Sequence, residues 1–380
     1  MLGKSIRLLS SSLLLLLVLI FFSVQFAETS GREGLVPDVT EQPPTPHPPL
    51  LQTNPFFTEI PIDISEFNEP LVRLSTGGCC SYAGWSDDSE WVLYLDGKID
   101  EITPGLFSLP RAGGSPSRLT ERFGAFSQDW SMVAYEEAGQ VFVERWADGA
   151  RWPIQSNGRA VSISPDMTHL AWEYGSQGIQ SPDRNQTQIW ISSVRGENAR
   201  ELVTIHGGDF VGWVGGSDAI IVNGRLSPPD PAGIWKIDTA TGAGQLLFKV
   251  ERPESILVSS SGNWVAFVIA FDVDLSQNGI WVLKTDGSYA ERLPLFGAYR
   301  WRSDGHLLLT PLDLSVPHPD LYQFDLENEQ VWKLIDPEVT QLNIANNDWS
   351  ISPSGEWLLF HSSKDHNLWV FELPELPESP

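Results

Sequence analysis

Asp272-Val273-Asp274, followed by Gln277, Asn278 and Gly279, brings several oxygen ligands into one short stretch. Calcium takes about six to eight oxygens, so such a stretch is a fragment of a calcium loop or a set of solvated acids. The spacing completes no EF-hand and lacks the closing Glu. Both readings stay open, with calcium as the only cofactor suggested. Seven histidines raise a second chemistry, a metal-assisted lyase. His47 falls in a proline-rich stretch, and His169 and His306 occupy matching places in a repeat. His206, His318, His361 and His366 come from separated segments without zinc-type spacing. An enzyme would need them to converge with carboxylates. Asp272, Asp274, Asp313, His206 and His318 are therefore candidate ligand-binding residues, with no metal set assigned. Cys79 and Cys80 are adjacent, after Gly77-Gly78. A vicinal disulfide, two buried thiols and an intermolecular bond all remain open, although neighbouring strand side chains point to opposite faces. No Gly-x-Ser-x-Gly occurs, which removes the nucleophile elbow of serine hydrolases. Asn185-Gln186-Thr187 is a formal glycosylation sequon.

Whatever these residues do, a repeat must position them. An apolar residue followed by a Ser-Pro-Asp-Gly-like turn recurs seven times, with anchors at Trp85, Phe126, Ile163, Trp213, Val258, Trp301 and Ile351, 37 to 50 residues apart. That is the period of a four-stranded propeller blade. After each turn comes a nearly continuous apolar run, such as Trp91-Val92-Leu93-Tyr94 or Trp264-Val265-Ala266-Phe267, as expected of a strand covered on both faces. A third strand then carries an aromatic at one place, from Phe107 through Trp190 and Trp281 to Trp369, to pack between blades. Outer strands follow, as in Ser117-Arg118-Leu119-Thr120 and Val331-Trp332-Lys333-Leu334. The last repeat has none, because Leu373-Pro374-Glu375-Leu376-Pro377 is too rich in proline for a ladder. Leu71-Val72-Arg73-Leu74-Ser75 has the missing pattern and should close the ring on the last blade. The expected fold is all-β, a seven-bladed β-propeller over residues 70–375 closed by an N-terminal outer strand, with 376–380 as a tail.

The repeat resembles the TolB-type, WD40-like propeller repeat, whose pattern is a Trp-Ser-Pro-Asp-Gly turn and Leu-Ala-Phe, Ile-Tyr-Val and Arg-Leu-Thr strands. Ile163-Ser164-Pro165-Asp166 with Leu170-Ala171-Trp172, and Ser117-Arg118-Leu119-Thr120, match it most nearly. The resemblance implies the fold and leaves function open, since this scaffold serves binding and several chemistries. Neither the amino-terminal domain of TolB nor a peptidase domain can be fitted to the remaining residues. On such a ring the loops from second to third strand emerge on one face around the channel mouth. They vary most here, and that face is where a site is expected.

Residues 1–27 carry Lys4 and Arg7, then an unbroken apolar run from Leu13 to Phe22 and no acid before Glu28. This is the layout of a signal peptide or a retained membrane anchor, and either sends the rest outward. Residues 28–69 are proline-rich and read as a spacer. Net charge is −25, and removing Lys4 and Arg7 leaves 22 bases against 49 acids, or −27, for the exported part. Such a chain is repelled by nucleic acid and touches membrane only through its N-terminal segment. The sequence thus reads as an extracytoplasmic, non-catalytic binding propeller, secreted or anchored, whose partner is an envelope or extracellular protein, peptide or glycan. The alternative is a polysaccharide lyase or hydrolase with its site at the channel mouth.

Overall fold

A computed structural model describes residues 57–61, 71–76, 81–96, 105–122, 124–175, 185–313, 316 and 318–375. The N-terminal segment, most of the proline-rich stretch, and Cys79 and Cys80 lie outside these residues. Among the described residues no helix is long and apolar enough to cross a membrane.

The strands form seven antiparallel sheets in chain order. The first has strands Ser81–Trp85, Trp91–Asp96, Gly105–Pro110 and Ser117–Thr120, innermost to outermost, and each later sheet repeats this plan. The second strands are the most deeply buried; all six residues of Trp264–Ile269 are buried. Apolar clusters lie between blades rather than within them. Leu170 and Trp172 pack against Val141 and Val143 of the preceding blade, and Ala171 and Ile189 against Ile220 and Val222 of the next. The repeated aromatics contribute rings to these seams, as where Trp172 stacks on Trp190 at 6.3 Å.

The short turns are held by one device. Ser164 Oγ donates to Asp166 Oδ1 at 2.6 Å and accepts from His169 N at 2.9 Å, while Thr168 N donates to the same carboxylate at 3.1 Å. Ser86 with Asp88 and Ser127 with Asp129 repeat it. The last turn residue takes a left-handed conformation in all seven turns, at Ser89, Trp130, Met167, Ser217, Gly262, Gly305 and Gly355, after an Asp in four of them. Blade four replaces the motif with Val214-Gly215-Gly216, and the reason is spatial. A Cβ on Gly215 would sit 1.7 Å from the Ser261 carbonyl oxygen in the next blade's turn.

Two N-terminal strands complete the ring. Strand β2, Val72–Arg73, pairs antiparallel with Leu368–Glu372 of blade seven, in the register Val72 to Val370 and Arg73 to Trp369. Leu74 then enters the core shared by blades seven and one, and Ser75 Oγ accepts from Leu368 N at 2.8 Å. This is the closing strand expected from Leu71–Ser75. Strand β1, Thr58–Glu59, falls within the stretch read as spacer, yet it pairs in parallel with Gln330–Val331 on the outer edge of blade six. Phe57 meets Phe324 edge-on at 5.3 Å, and Ile60 packs on the core between blades six and seven. The spacer is thus tied to the ring before residue 70.

Candidate functional site

Near the channel mouth, on or beside the first and second strands of their blades, lie three carboxyls. Glu173 is the fifth residue of its blade's second strand, His169–Gly175, and leans toward blade four, where Phe210 N donates to its Oε1 at 2.5 Å. Asp209 precedes that inner strand, Phe210–Trp213. Asn223 pins its backbone from both sides: Asp209 N donates to Asn223 Oδ1 at 2.7 Å, and Asn223 N to the Asp209 carbonyl at 3.1 Å. Gly208 permits the approach, since a Cβ there would lie 1.9 Å from Asn223 O. Burial raises the Glu173 carboxyl; its backbone hydrogen bond opposes this and the Asp209 charge adds to it. Burial also raises Asp209, which stays open to water while crowded by protein, as a side chain on a concave wall does.

Asp348 is the third. It sits in an inner strand, Ile344–Ile351, that bulges between Ile344 and Trp349, with Asn346 and Asn347 left-handed. Arg300 of blade six ties the bulge down. Its Nε donates to Trp349 O at 3.0 Å, Nη2 to Asn347 O at 2.9 Å and Nη1 to Tyr299 O at 2.7 Å. Three of its donors are thereby consumed, which makes it a support for the bulge. Burial raises the Asp348 carboxyl, against the opposing pull of His361 and Arg300. His361 Nδ1 lies 3.9 Å from Asp348 Oδ2, and the His361 and His366 rings are 5.9 Å apart. Carboxyls raised by burial at a concave mouth hold a proton more readily than solvated ones, and such groups mark candidate sites.

The residues chosen from sequence fall elsewhere on the same face. Asp272 and Asp274 cap their own loop: Asp272 Oδ1 accepts from Asp274 N at 2.9 Å, and Asp274 Oδ1 from Ser276 N at 3.0 Å. Hydrogen bonds from Ser276 hold Asp274 below the usual carboxylate range, so it is ionised. Asp313 follows the exposed Leu312 in the corresponding loop of blade six. His206 ends the outer strand of blade three, bridged through its backbone to Arg225. His318 is half-buried in the blade-six loop, its Nδ1 without a hydrogen-bond partner. Among the described residues no three His, Cys, Asp or Glu side chains converge as metal ligands. The sequon is embedded: Thr187 is buried, and Asn185 Oδ1 is enclosed without a partner.

Glu173, Asn223 and His361 share one repeat position, which carries Leu95, Glu136, Val268 and Thr310 in the other blades. Five of the seven residues at that position are polar, so the position alone does not distinguish Glu173. On the opposite face a small pocket is lined by Trp264, Lys284, Asp304 and Glu327. Lys284 pairs with Glu327 at 3.5 Å, and Asp304 accepts from Ser259 and Asn263, so its charges serve the turns.

No family model and no curated protein matches the chain. Solved structures do. An oligogalacturonate lyase from Vibrio parahaemolyticus matches with a TM-score of 0.55 at 13% identity, over 81% of this chain and 93% of the lyase. The propeller domain of the Trilobed protease from Pyrococcus furiosus matches with a TM-score of 0.52 at 13% identity, over 80% and 97%. TolB from Acinetobacter baumannii is also among them, with a TM-score of 0.41 at 13% identity, over 64% and 63%. The chain has the seven-bladed β-propeller fold, which the lyase and the protease domain share.

Proposed function

We propose that this chain is an extracytoplasmic binding propeller, without catalysis of its own, that holds an envelope protein, peptide or glycan on the face where its varied loops emerge. One observation carries the reading. Of the ten large apolar side chains exposed among the described residues, seven lie on loops of that face, between Phe271 and Val339. Burying apolar surface is the main favourable term in association, and the opposite face offers little of it, its turns being occupied by their own Ser–Asp bonds. The test is capture from envelope extract by the full exported chain, and by a variant with 271–278 shortened to a two-residue turn. Loss of capture with unchanged folding supports the reading; undiminished capture overturns it.

A second reading, a polysaccharide lyase or hydrolase, draws on the Glu173 and Asp209 carboxyls at the channel mouth, whose raised protonation would suit general acid or base work. Turnover of an acidic polysaccharide, abolished by Glu173→Gln, would establish it.

A further inference from the structure

We propose that the channel-mouth loops of blades five to seven form a docking surface for a cationic amphipathic protein segment, in which apolar side chains alternate with lysine or arginine. This rests on the binding reading above and narrows its ligand to a basic protein or peptide.

The centre of the surface is the loop after Trp264–Ile269. Phe271, Val273 and Leu275 are 83%, 100% and 79% exposed, with Asp272 and Asp274 between them. The loop is braced in that form. Asp272 N donates to Asn278 Oδ1 at 2.7 Å and Gln277 N to the Asp274 carbonyl at 2.9 Å. The loop's far end is held from outside, by Trp281 Nε1 on the Gln277 carbonyl at 2.7 Å and Arg292 Nη1 on the Asn278 carbonyl at 3.0 Å. Apolar side chains so held out stand ready to be covered. The next blade continues the surface: Leu312 N donates to the Phe296 carbonyl at 2.9 Å, joining two further exposed apolar residues, and Val339 stands out from the connection into blade seven.

Charge decides the partner. Stretches 271–278, 294–297, 311–320 and 335–343 hold six acids, Asp272, Asp274, Asp313, Asp320, Asp336 and Glu338, and no Lys or Arg. The flanking loops 250–252 and 363–367 add one acid and one base each, Glu251 with Arg252 and Asp365 with Lys364. Asp320 is paired with Lys333 at 2.8 Å, and Asp313 too has a partner within the protein. A bilayer would accept the apolar tips but would press carboxylates against phosphates with no basic residue in those four stretches to meet them. A second copy of the surface would bring its own acids face to face. A segment interleaving apolar and basic residues satisfies both features, covering the apolar side chains while its cations meet the aspartates between them.

The test uses the full exported chain and a synthetic peptide of alternating Lys and Leu, followed by fluorescence anisotropy. Peptides of alternating Lys and Ser, and of Glu and Leu, are the controls. The Lys-Leu peptide should bind at least tenfold more tightly than either, and weaken at least tenfold with Val273→Ser plus Leu275→Ser. Binding should also weaken as salt shortens the Debye length from about 10 Å at 0.1 M to about 3 Å at 1 M. Equal binding of the Lys-Ser peptide, or no effect of the double variant, overturns the proposal. So does flotation with phosphatidylcholine vesicles that depends on Leu275, or self-association abolished by the same variant. If the peptide fails while envelope capture is still lost on shortening 271–278, the partner's chemistry is wrong and the binding reading stands.

Discussion

Chains beginning at residue 53, 70 and 77 should differ in stability in a graded way, because the N-terminal strands are attached to the ring by separable contacts. Starting at 70 removes β1 and with it Phe57 and Ile60. Both are half-buried, so at half of the 1.5–3 kcal/mol for full burial they contribute about 2 kcal/mol together. Starting at 77 removes more. Leu74 is buried, worth about 2 kcal/mol, and Leu71 adds a fraction of that. Leu74 N and Ser75 N donate to the Leu368 carbonyl, and Ser75 Oγ accepts from Leu368 N. Three such bonds add about 3 kcal/mol at roughly 1 each. The second cut thus costs about 5–6 kcal/mol beyond the first, comparable to the whole stability of many domains. Guanidinium unfolding followed by tryptophan fluorescence should show a modest fall in midpoint from 53 to 70. From 70 to 77 it should show loss of the cooperative transition. Equal midpoints for 53 and 77 would refute the assignment of β2 as the closing strand's stabilising contact.

Other expectations follow from single residues. Glu173→Gln should raise the melting temperature at pH 7, because a carboxyl raised by burial opposes folding once ionised. That penalty is absent below the unfolded pKa of about 4.3 and grows as pH rises through the folded value, so the gain should vanish in acid. Asp166→Asn should do the reverse. Burial pushes this carboxyl up, but hydrogen bonds from Ser164 and Thr168 outweigh it and bring it down to about 2. Its stabilisation, about 1 kcal/mol after solvent screening, is present above the unfolded pKa and lost as pH falls through about 2. Asp272→Asn with Asp274→Asn should leave the melting temperature unchanged, since asparagine oxygens can still accept the loop's N–H groups. A rise in melting temperature with calcium that the double variant abolishes would instead establish a calcium loop. Gly215→Ala should fail to fold or lose several kcal/mol, as its methyl meets a backbone oxygen; a wild-type melting curve would show that the two turns can part.

The ring was readable because a blade is a local pattern written seven times. Turn anchors, buried second strands and the aromatics of the third strand each recur at a fixed offset, and the absent outer strand of the last blade pointed to Leu71–Ser75. Strand β1 left no such trace. Two residues, Thr58 and Glu59, pair in parallel through their backbone, and the prolines around them read as spacer. The channel-mouth carboxyls were hidden differently. Glu173 looks like any charged strand end until Phe210 N is seen to reach it from another blade, and Asp348 gains its environment from a bulge fixed by Arg300. The loop acids Asp272 and Asp274 were conspicuous in sequence, but their hydrogen bonds turn inward. The apolar residues that alternate with them, Phe271, Val273 and Leu275, are the ones left bare.

The pairing of the chain's first strands with its last imposes an order on how the protein can come into being. Ser75 bonds a partner 292 positions away, at Asn367. At a synthesis rate of about 5–20 residues per second, β2 waits roughly 15 to 60 seconds for its mate to be made. Through that interval each finished blade can stack on the one before it, yet the first presents an apolar flank with no neighbour, and the growing arc is open at both ends. The molecule is therefore sealed by its final blade alone. Any factor that guards it during synthesis has to shelter the leading flank until the last Trp-Val-Phe strand arrives.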